Sequence, residues 1–271
     1  MFEEIIRSAI VEDLGDCGDI TTNCIFNKEK IGFSINSRES MVVSGIVVVK
    51  EIFEMFGSGI EFRLLEFDGN EIPPGTSVVN GFGPASKILS IERVLLNFLQ
   101  RASSISSITR EFISKVYGTK TKIRSTRKTS PCLREFDLYA VSVGGGESYR
   151  KGLYDGIMVK DNHIAGCGSI TECVSRIRKN LGEVFITIEC ESIIQVEESL
   201  KNKVDLIMLD NMSLLDIIES VRLIGKSSMI EVSGGVNIDN VQEIAKTGVD
   251  YISIGGITNS FSSKDIGMDI S

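Results

Sequence analysis

The 271-residue sequence contains a single histidine, and its six cysteines include no Cys-x-x-Cys pair. Zinc sites are built from clustered cysteine and histidine ligands, so this composition argues against a zinc-stabilised fold. We expect the cysteines to be scattered buried thiols in a reducing cytosol, which predicts a cytoplasmic protein.

Long apolar runs are also missing. The longest are only a few residues, far short of the roughly 20 needed to span a bilayer. The stretch MFEEIIRSAIVEDLGD carries acidic residues where a signal peptide needs basic ones, so we expect no signal peptide. The net charge of −8 argues against non-specific binding of nucleic acid or anionic lipid, which depends on a broad basic surface.

One segment departs from this acidic balance. Between Lys120 and Lys160 lie nine lysines or arginines and only four acidic residues. Because the positive charge is local, it favours a pocket for a small anion over a track for a polymer.

The second half of the sequence alternates short apolar runs with helix-like segments, which predicts βαβ units and a parallel sheet. These units span only about 140 residues, against roughly 250 for a complete eight-unit barrel, so we predict an incomplete α/β barrel of six or seven strands. The runs are TKIRS (121–125), GIMVK (156–160), VFITIE (184–189), VDLIML (204–209), MIEVS (229–233) and VDYISI (249–254).

Helix start signals follow several of these runs. Ser169 and Ser192 open capping-box patterns, and Ser213 and Asn237 stand where N-caps are expected. Glycines then occur where the helices should end, because glycine tolerates the left-handed conformation there: Gly182, Gly225 and Gly248.

The first hundred residues mix alternating strand patterns with Asp-Gly, Pro-Pro and Gly turns, which predicts a smaller α+β domain. A long helical pattern at 90–118 is expected to join the two domains. We assign 1–110 to the N-terminal domain and 111–261 to the barrel. The tail at 262–271 is a candidate to return to the first domain.

Polar, charged or glycine residues stand at the carboxyl end of each predicted barrel strand. In parallel α/β folds ligands bind at that edge, because the βα loops and helix N-termini converge there. The strand-end residues are Thr126, Arg127 and Lys128; Lys160; Glu189; Asp210; Ser233, Gly234 and Gly235; and Gly255 and Gly256.

These residue types suggest a binding site with two walls of different chemistry. The glycine loops offer backbone N–H groups that cradle phosphate, and Glu189 and Asp210 suit ribose hydroxyls or Mg²⁺. Cations suited to carboxylates would line the opposite wall: Arg127, Lys128, Arg150 and Lys160. The pattern predicts a site that binds a phosphorylated sugar next to a small acid.

Seven long motifs occur in order along nearly the whole chain: EDLGDCGDITT, ERVLLNFLQR, STRKTSPCLREFDLYAV, GGGESYRKGLYDGIMVKDNHI, LIMLDNMS, EVSGGVNIDNV and TGVDYISIGG. Together they resemble the quinolinate phosphoribosyltransferase family. The resemblance implies a pentosyltransferase that converts quinolinate and 5-phosphoribosyl 1-diphosphate into nicotinate mononucleotide, CO₂ and pyrophosphate for NAD synthesis. It also implies an N-terminal α/β sandwich, a C-terminal incomplete α/β barrel and a homodimer.

The resemblance also implies roles for the acid-binding wall. Arg127, Arg150 and Lys160 would hold the quinolinate carboxylates, with Arg93 reaching in from the neighbouring subunit. Thr126 and Tyr149 join this substrate-binding set.

On the sugar side, the resemblance assigns the ribose and Mg²⁺ to Glu189 and Asp210, the metal being held mostly through substrate and water. Lys128 would face the diphosphate, so the implied catalytic residues are Lys128, Glu189 and Asp210. The 5-phosphate would lie against the glycine loops, formed by Ser233, Gly234, Gly235, Gly255 and Gly256.

The chain departs from the family pattern at two positions. The family usually has Asn-His-Arg where this chain has Ser148-Tyr149-Arg150, and a histidine where this chain has Asn259. Tyr149 can donate a hydrogen bond but cannot become cationic, which bears on substrate preference. For His163, the only histidine, a structural role and a direct role are both open.

Three alternatives stay open. A relative that uses nicotinate or another pyridine acid would share most of these residues. A Schiff-base lyase could use a barrel lysine such as Lys160. A carrier module is suggested by LLEFDGNEIPPGTSVV, but that hairpin lacks the lysine such modules modify, and the barrel half would be unexplained.

With no histidine expected in the pocket, we predict that quinolinate affinity varies little between about pH 6 and 8, because imidazole is the side chain that normally titrates there. Titration calorimetry across this range checks the prediction. A steep fall in affinity traced to the protein would contradict it.

Overall fold

The computed structural model describes residues 2–271, and the chain divides into two compact units. The first unit contains the chain up to Arg110 together with Ser130–Gly145 and Ser260–Ser271. The second contains Glu111–Thr129 and Gly146–Asn259. The first unit is therefore assembled from three separate stretches of sequence.

The elements are numbered in chain order. Those before residue 116 are α1 (Glu3–Leu14), α2 (Ile20–Ile25), β1 (Lys30–Ser37), β2 (Met41–Val42), α3 (Ile46–Phe56), β3 (Glu61–Leu64), β4 (Glu71–Ile72), β5 (Ser77–Pro84) and α4 (Ala85–Lys115). The later elements are β6 (Lys122–Ser125), α5 (Arg134–Gly144), β7 (Glu147–Ser148), β8 (Ile157–Val159), α6 (Asp161–Cys167), α7 (Ile170–Leu181), β9 (Ile186–Cys190), α8 (Ile193–Lys201), β10 (Leu206–Asp210), α9 (Leu214–Ile224), β11 (Met229–Ser233), α10 (Val241–Lys246), β12 (Tyr251–Ser253), α11 (Gly256–Asn259) and β13 (Ile266–Ile270).

The first unit is built on an antiparallel sheet in the order β13-β1-β5-β3, with a separate two-stranded sheet, β2-β4. Strand β1 buries alternate residues, Phe33, Ile35 and Ser37, because successive side chains point to opposite faces of a sheet. Strand β13 pairs with β1 from Ile266 to Ile270, so the end of the chain lies in this sheet. The α+β organisation predicted for this part of the chain is confirmed.

The long helix predicted at 90–118 spans Ala85–Lys115 and begins directly after β5. Its buried residues Leu95, Leu99 and Ala102 recur at helical spacing and form one apolar face. Helix α5 packs against it within the first unit, where Ser106 Oγ donates to the carbonyl oxygen of Ala140 at 2.7 Å.

The second unit contains a seven-stranded parallel sheet in the order β7-β6-β12-β11-β10-β9-β8. Strands β7 and β8 form its two edges, so the sheet is an incomplete barrel. This confirms the predicted incomplete α/β barrel, with the two-residue β7 as its seventh strand.

The predicted capping residues mostly begin their helices. The hydroxyl oxygens of Ser169, Ser192 and Ser213 each accept a hydrogen bond from a backbone N–H three residues later. Asn237 is not the N-cap of α10, which begins one turn later, at Val241. Its Oδ1 instead accepts from the N–H groups of Asp239 and Asn240, and forms a turn before the helix.

All six cysteines are free thiols, but the expectation that they are buried holds for only two of them, Cys173 and Cys190. Three others are exposed: Cys17, Cys24 and Cys132. Across residues 2–271, no helix has both the length and the apolar character needed to cross a lipid bilayer.

The first unit contains a buried ion pair. Arg101 Nε and Nη2 donate to the two carboxylate oxygens of Asp137 at 2.7 and 2.8 Å, and the Asp137 side chain is fully buried. Arg101 Nη2 also donates to Ser130 Oγ at 2.8 Å. The Arg101 guanidinium group therefore connects α4, α5 and the start of the Ser130–Gly145 segment.

We predict that Arg101→Ala lowers the free energy of unfolding by about 3 kcal/mol or more, because it leaves the Asp137 carboxylate buried without its counter-charge. The matched control is Arg7→Ala, which breaks the exposed Arg7–Glu3 pair and should cost about 0.5 kcal/mol or less. Urea denaturation measures both changes. Equal losses in the two variants would contradict the stabilising role of the buried pair.

Candidate active site

A cavity of about 350 Å³ lies at the carboxyl edge of the parallel sheet in the second unit. Every strand of that sheet supplies a lining residue from its last positions or from the loop that follows, as expected for a parallel sheet. Nine of the residues predicted from the sequence line it together: Thr126, Arg127, Lys128, Tyr149, Arg150, Lys160, Glu189, Asp210 and Ser233.

Arg127 and Arg150 form the cationic part of this cavity. Among the described residues neither takes part in an ion pair, and the Nε atoms of both are buried without a hydrogen-bond partner. Burial, and after it the nearby charge of Arg127, lower the pKa of Arg150. Two unneutralised guanidinium groups in one cavity favour an anion, and their planar forks suit carboxylates.

Lys160, which directly follows β8, forms an ion pair with Glu189 of the adjacent strand β9. The Glu189 side chain is mostly buried, whereas that of Lys160 is more open. The backbone N–H of Lys160 donates to His163 Nδ1 at 3.0 Å, so the histidine ring caps the start of α6. His163 does not line the cavity, and its contact with the backbone of Lys160 is a structural one.

Asp210 is held by its neighbour in sequence. Asn211 Nδ2 donates to Asp210 Oδ2 at 2.7 Å, and Asn211 adopts a left-handed conformation with φ of 54°. The N–H of Asn211 donates to the carbonyl oxygen of Ser233 at 3.0 Å, which joins the β10 and β11 loops. Gly234 follows at φ of 79°, and a Cβ there would lie 2.7 Å from the Asn211 backbone nitrogen.

The glycine loop after β11 lines a second, smaller cavity. Gly234 and Gly235 line this space of about 220 Å³, together with Asn211 and Asn240. Asn240 Nδ2 donates to the carbonyl oxygen of Gly235 at 3.0 Å and fixes the loop after β11. Backbone groups of the predicted phosphate loop are thus presented beside the main cavity.

The loop after β12 approaches the loop after β6. A Cβ on Gly255 would lie 3.1 Å from Lys128 Cδ, and Thr258 Oγ1 donates to the carbonyl oxygen of Lys128 at 2.8 Å. Gly256 begins α11, and a Cβ there would meet nothing within 4 Å. Arg93, by contrast, is exposed on α4 of the first unit and does not line the cavity.

Sequence reasoning missed Glu231 and its partners. Glu231 lines the cavity at 1 % exposure, its Oε2 lies 3.0 Å from Arg124 Nη1, and Ser253 Oγ donates to its other oxygen. Burial raises the pKa of Glu231, and the bonds from Ser253 and Arg124 oppose that shift. Four further lining residues were also missed: Ser125, Met158, Met208 and Ser253.

A signal for Glu231 was present in the pattern of the strands. A parallel strand covered on both faces reads as an almost continuous apolar run. Strand β11 instead alternates, with Glu231 and Ser233 separated by Val232, and β9 does the same with Thr187 and Glu189. Polar residues at alternate positions mark the face that points into the cavity.

Tyr149 contributes a neutral ring to the cavity wall. Its hydroxyl group shares a hydrogen bond of 2.8 Å with Thr187 Oγ1, and its ring lies 5.2 Å from the Arg124 guanidinium carbon. The hydroxyl that was expected to reach a substrate carboxylate therefore already has a protein partner.

Two carboxylates of the cavity, those of Glu189 and Asp210, bear on whether the site fits Mg²⁺. Within the part of the chain that the structure describes, no three His, Cys, Asp or Glu side chains converge as a ready-made metal site. Glu189 and Asp210 line one cavity from adjacent strands. Mg²⁺ is commonly held by one or two carboxylates together with substrate phosphates and water, so this donor set fits an ion that arrives with a phosphorylated substrate.

Comparison with known proteins assigns the chain to a family. Models of the N-terminal and C-terminal domains of quinolinate phosphoribosyl transferase match residues 19–103 and 105–269. The chain belongs to the quinolinate phosphoribosyl transferase family, and the resemblance inferred from its motifs is confirmed.

Relatives match along almost the whole chain. A probable nicotinate-nucleotide pyrophosphorylase [carboxylating] of Bacillus subtilis (strain 168) is 37 % identical over 269 residues, which cover 99 % of this chain and 93 % of that protein. The nicotinate-nucleotide pyrophosphorylase [carboxylating] of Mycobacterium leprae (strain TN) is 34 % identical over 275 residues, covering 98 % of this chain and 96 % of that protein. A crystal structure of nicotinate-nucleotide pyrophosphorylase from Ehrlichia chaffeensis superposes with a TM-score of 0.99 at 56 % identity, covering 100 % of this chain and 99 % of that one.

We predict that Gly234→Ala is more destabilising than Gly182→Ala. Both glycines have positive φ angles, of 79° and 72°, so each substitution should cost about 1–2 kcal/mol of backbone strain. Only Gly234 faces a close neighbour, Asn211, and this overlap should add roughly 1–3 kcal/mol. Urea denaturation measures the difference, and equal losses would show that the Asn211 contact is readily relieved.

Proposed function

We propose that this protein transfers the phosphoribosyl group of 5-phosphoribosyl 1-diphosphate to the ring nitrogen of quinolinate, which yields nicotinate mononucleotide, CO₂ and pyrophosphate for NAD biosynthesis. The observation that carries the proposal is the pair Arg127 and Arg150, which share a cavity with Glu189 and Asp210 and have no ion-pair partner among the described residues. A pyridine diacid supplies the anion that this pair lacks. Membership of the family supports the same reaction.

The acid-binding wall would hold quinolinate by its two carboxylates. Arg127 and Arg150 would each donate two parallel hydrogen bonds, for which the guanidinium fork is suited. Lys160, which lines the same cavity and is already paired with Glu189, would add a compact charge for a carboxylate. Thr126 and Tyr149 would complete this wall.

The opposite wall would hold the phosphorylated sugar. Glu189 and Asp210 would accept hydrogen bonds from the ribose hydroxyl groups, and Lys128 would face the diphosphate. The backbone N–H groups of the glycine loops would bind the 5-phosphate; the residues concerned are Ser233, Gly234, Gly235, Gly255 and Gly256.

The reaction needs fixed charge more than a nucleophilic side chain. When the bond from C1 to the diphosphate breaks, the diphosphate leaves with the electron pair and the ribose acquires oxocarbenium character. Lys128 would stabilise the leaving group, while Glu189 and Asp210 keep the ribose aligned. Glu189 and Asp210 would also hold Mg²⁺, mostly through substrate and water, and the ion supplies further positive charge for the diphosphate.

The quinolinate nitrogen lone pair forms the new bond to C1. The ring nitrogen is then quaternary, so it stabilises the electron pair left on the adjacent carbon when that carboxylate departs as CO₂. A proton then replaces the carboxylate. No covalent bond to the protein is required, and Lys160 is engaged with Glu189, which disfavours the Schiff-base alternative because that chemistry needs a neutral amine.

The proposal includes a homodimer. Arg93 is an exposed cation on α4 that does not line the cavity of its own chain. It would reach the quinolinate site of the neighbouring subunit, so that two chains together complete each acid-binding wall.

A second candidate is a transferase that prefers nicotinate. Tyr149 supports it, because the ring is neutral and its hydroxyl group is bonded to Thr187. Tyr149 therefore offers no cation to a second substrate carboxylate, and nicotinate has only one carboxylate.

A direct assay distinguishes the two candidates. The purified protein is incubated with 5-phosphoribosyl 1-diphosphate, Mg²⁺ and either quinolinate or nicotinate, and mononucleotide and CO₂ are quantified. We expect quinolinate turnover with one CO₂ per mononucleotide, and loss of turnover when Mg²⁺ is chelated. Faster turnover of nicotinate, without CO₂, would favour the second candidate.

We predict that Arg127→Ala and Arg150→Ala each weaken quinolinate binding at least about tenfold, because a hydrogen bond between charged groups contributes about 1.5–3 kcal/mol. Binding of 5-phosphoribosyl 1-diphosphate should change far less. Titration calorimetry measures both affinities, with Arg176→Ala, which removes an exposed cation paired with Glu172, as the control. Equal losses for the two substrates would contradict the assignment of the two walls.

A further inference from the structure

Arg124 is a buried cation that the proposed reaction does not use. It lies on β6, directly before the loop that carries Arg127 and Lys128, and is 8 % exposed. Its guanidinium carbon lies 3.1 Å from the centroid of the Tyr251 ring and 5.2 Å from that of Tyr149. Guanidinium groups are stabilised against aromatic faces, so the two rings hold this cation in position.

The same guanidinium group neutralises Glu231, which lines the cavity. The Arg124 Nη1 to Glu231 Oε2 distance is 3.0 Å, and Glu231 is 1 % exposed. A buried carboxylate is costly unless it is paired and hydrogen-bonded. Within residues 2–271, Arg124 is the cation that forms an ion pair with Glu231.

Several groups surround Glu231 on the neighbouring elements. In the sheet, Met208 of β10 and Tyr251 of β12 occupy the register positions beside it, and Ser253 donates to its carboxylate. The charged residues that line the same cavity are Arg127, Lys128, Arg150, Lys160, Glu189 and Asp210. None of these cations forms an ion pair with Glu231, so Arg124, whose Nε also lies 3.9 Å from Glu147, is its compensating charge.

Arg124 also supports Tyr149, which precedes Arg150 and lines the cavity. The Tyr149 ring lies against the Arg124 guanidinium group, and its hydroxyl group is anchored by Thr187 at 2.8 Å. The Arg124 guanidinium group therefore affects two residues of the cavity: it orients the Tyr149 ring and neutralises the Glu231 carboxylate.

We infer that Arg124 is a positioning residue for the diacid subsite, which holds the Tyr149 ring beside Arg150 and cancels the negative charge of Glu231 near the bound dianion. This inference rests on the proposed function. Without Arg124, an ionised and buried Glu231 repels a doubly negative substrate in the same cavity. A protonated Glu231 does not.

The test is the substitution Arg124→Met, with kcat and both KM values measured from about pH 6 to pH 9. We expect the KM for quinolinate to rise about tenfold or more at the upper end of this range, with the KM for 5-phosphoribosyl 1-diphosphate changed by about twofold or less. The quinolinate defect should shrink as the pH falls, because protonation of Glu231 removes the repulsion. The wild type, in which Arg124 compensates Glu231, should lack this pH dependence.

Two further variants separate charge from packing. Arg124→Met/Glu231→Gln removes both charges, so the pH dependence should disappear and the KM for quinolinate should fall back toward the wild-type value. Arg124→Lys keeps the charge, so its pH profile should stay flat, but its KM for quinolinate should rise because an ammonium group does not stack on Tyr149 as a planar fork does. If Arg124→Met does not fold, Arg124→Lys and the double variant still provide the comparison.

A comparison of melting temperatures tests the ion pair between Arg124 and Glu231 without an activity measurement. At about pH 8 the double variant should melt above Arg124→Met, because it no longer contains an unpaired buried carboxylate. The inference is overturned if Arg124→Met raises both KM values equally, if the pH dependence persists in the double variant, or if Arg124→Lys matches the wild type in its KM for quinolinate. Absence of quinolinate turnover in the wild type would instead reject the proposed function, and the melting comparison would then decide on the ion pair alone.

Discussion

Two guanidinium groups that share one cavity and form no ion pair among the described residues are the constraint on which the chemistry of the second unit depends. Arg127 and Arg150 lie close enough for the charge of one to lower the pKa of the other, and both are partly removed from water. Such an arrangement is unfavourable until an anion occupies it. The parallel sheet supports this arrangement by bringing the ends of all seven strands to one edge.

Three other cations of the positively charged segment are paired with acidic side chains. Lys120 pairs with Asp250, Lys122 with Glu147 and Arg124 with Glu231. In the folded protein, some of the cations concentrated in this segment thus form ion pairs with acidic residues, and others do not. Among the described residues, Arg127 and Arg150 form no ion pair and line the cavity, where an anionic ligand can neutralise them.

Local patterns predicted the barrel well, because strand and helix periodicity and serine N-caps depend on neighbours in sequence. Contacts between distant residues were harder to predict. Helix α5 joins the first unit because it packs on α4, where a Cβ on Gly144 would lie 2.6 Å from Thr109 Cβ, and no local signal encodes that approach. The pairing of Glu231 with Arg124 was missed for a similar reason, since the two residues lie 107 positions apart in sequence.

The pairing of β13 with β1 has a consequence for biosynthesis. Ile266–Ile270 completes one side of the first unit's sheet, yet the whole barrel is translated between these two strands. During synthesis, one edge of β1 must therefore stay uncovered until β13 has been made. An uncovered strand edge is a template for pairing with other chains, so chaperone protection during synthesis would matter most for this edge.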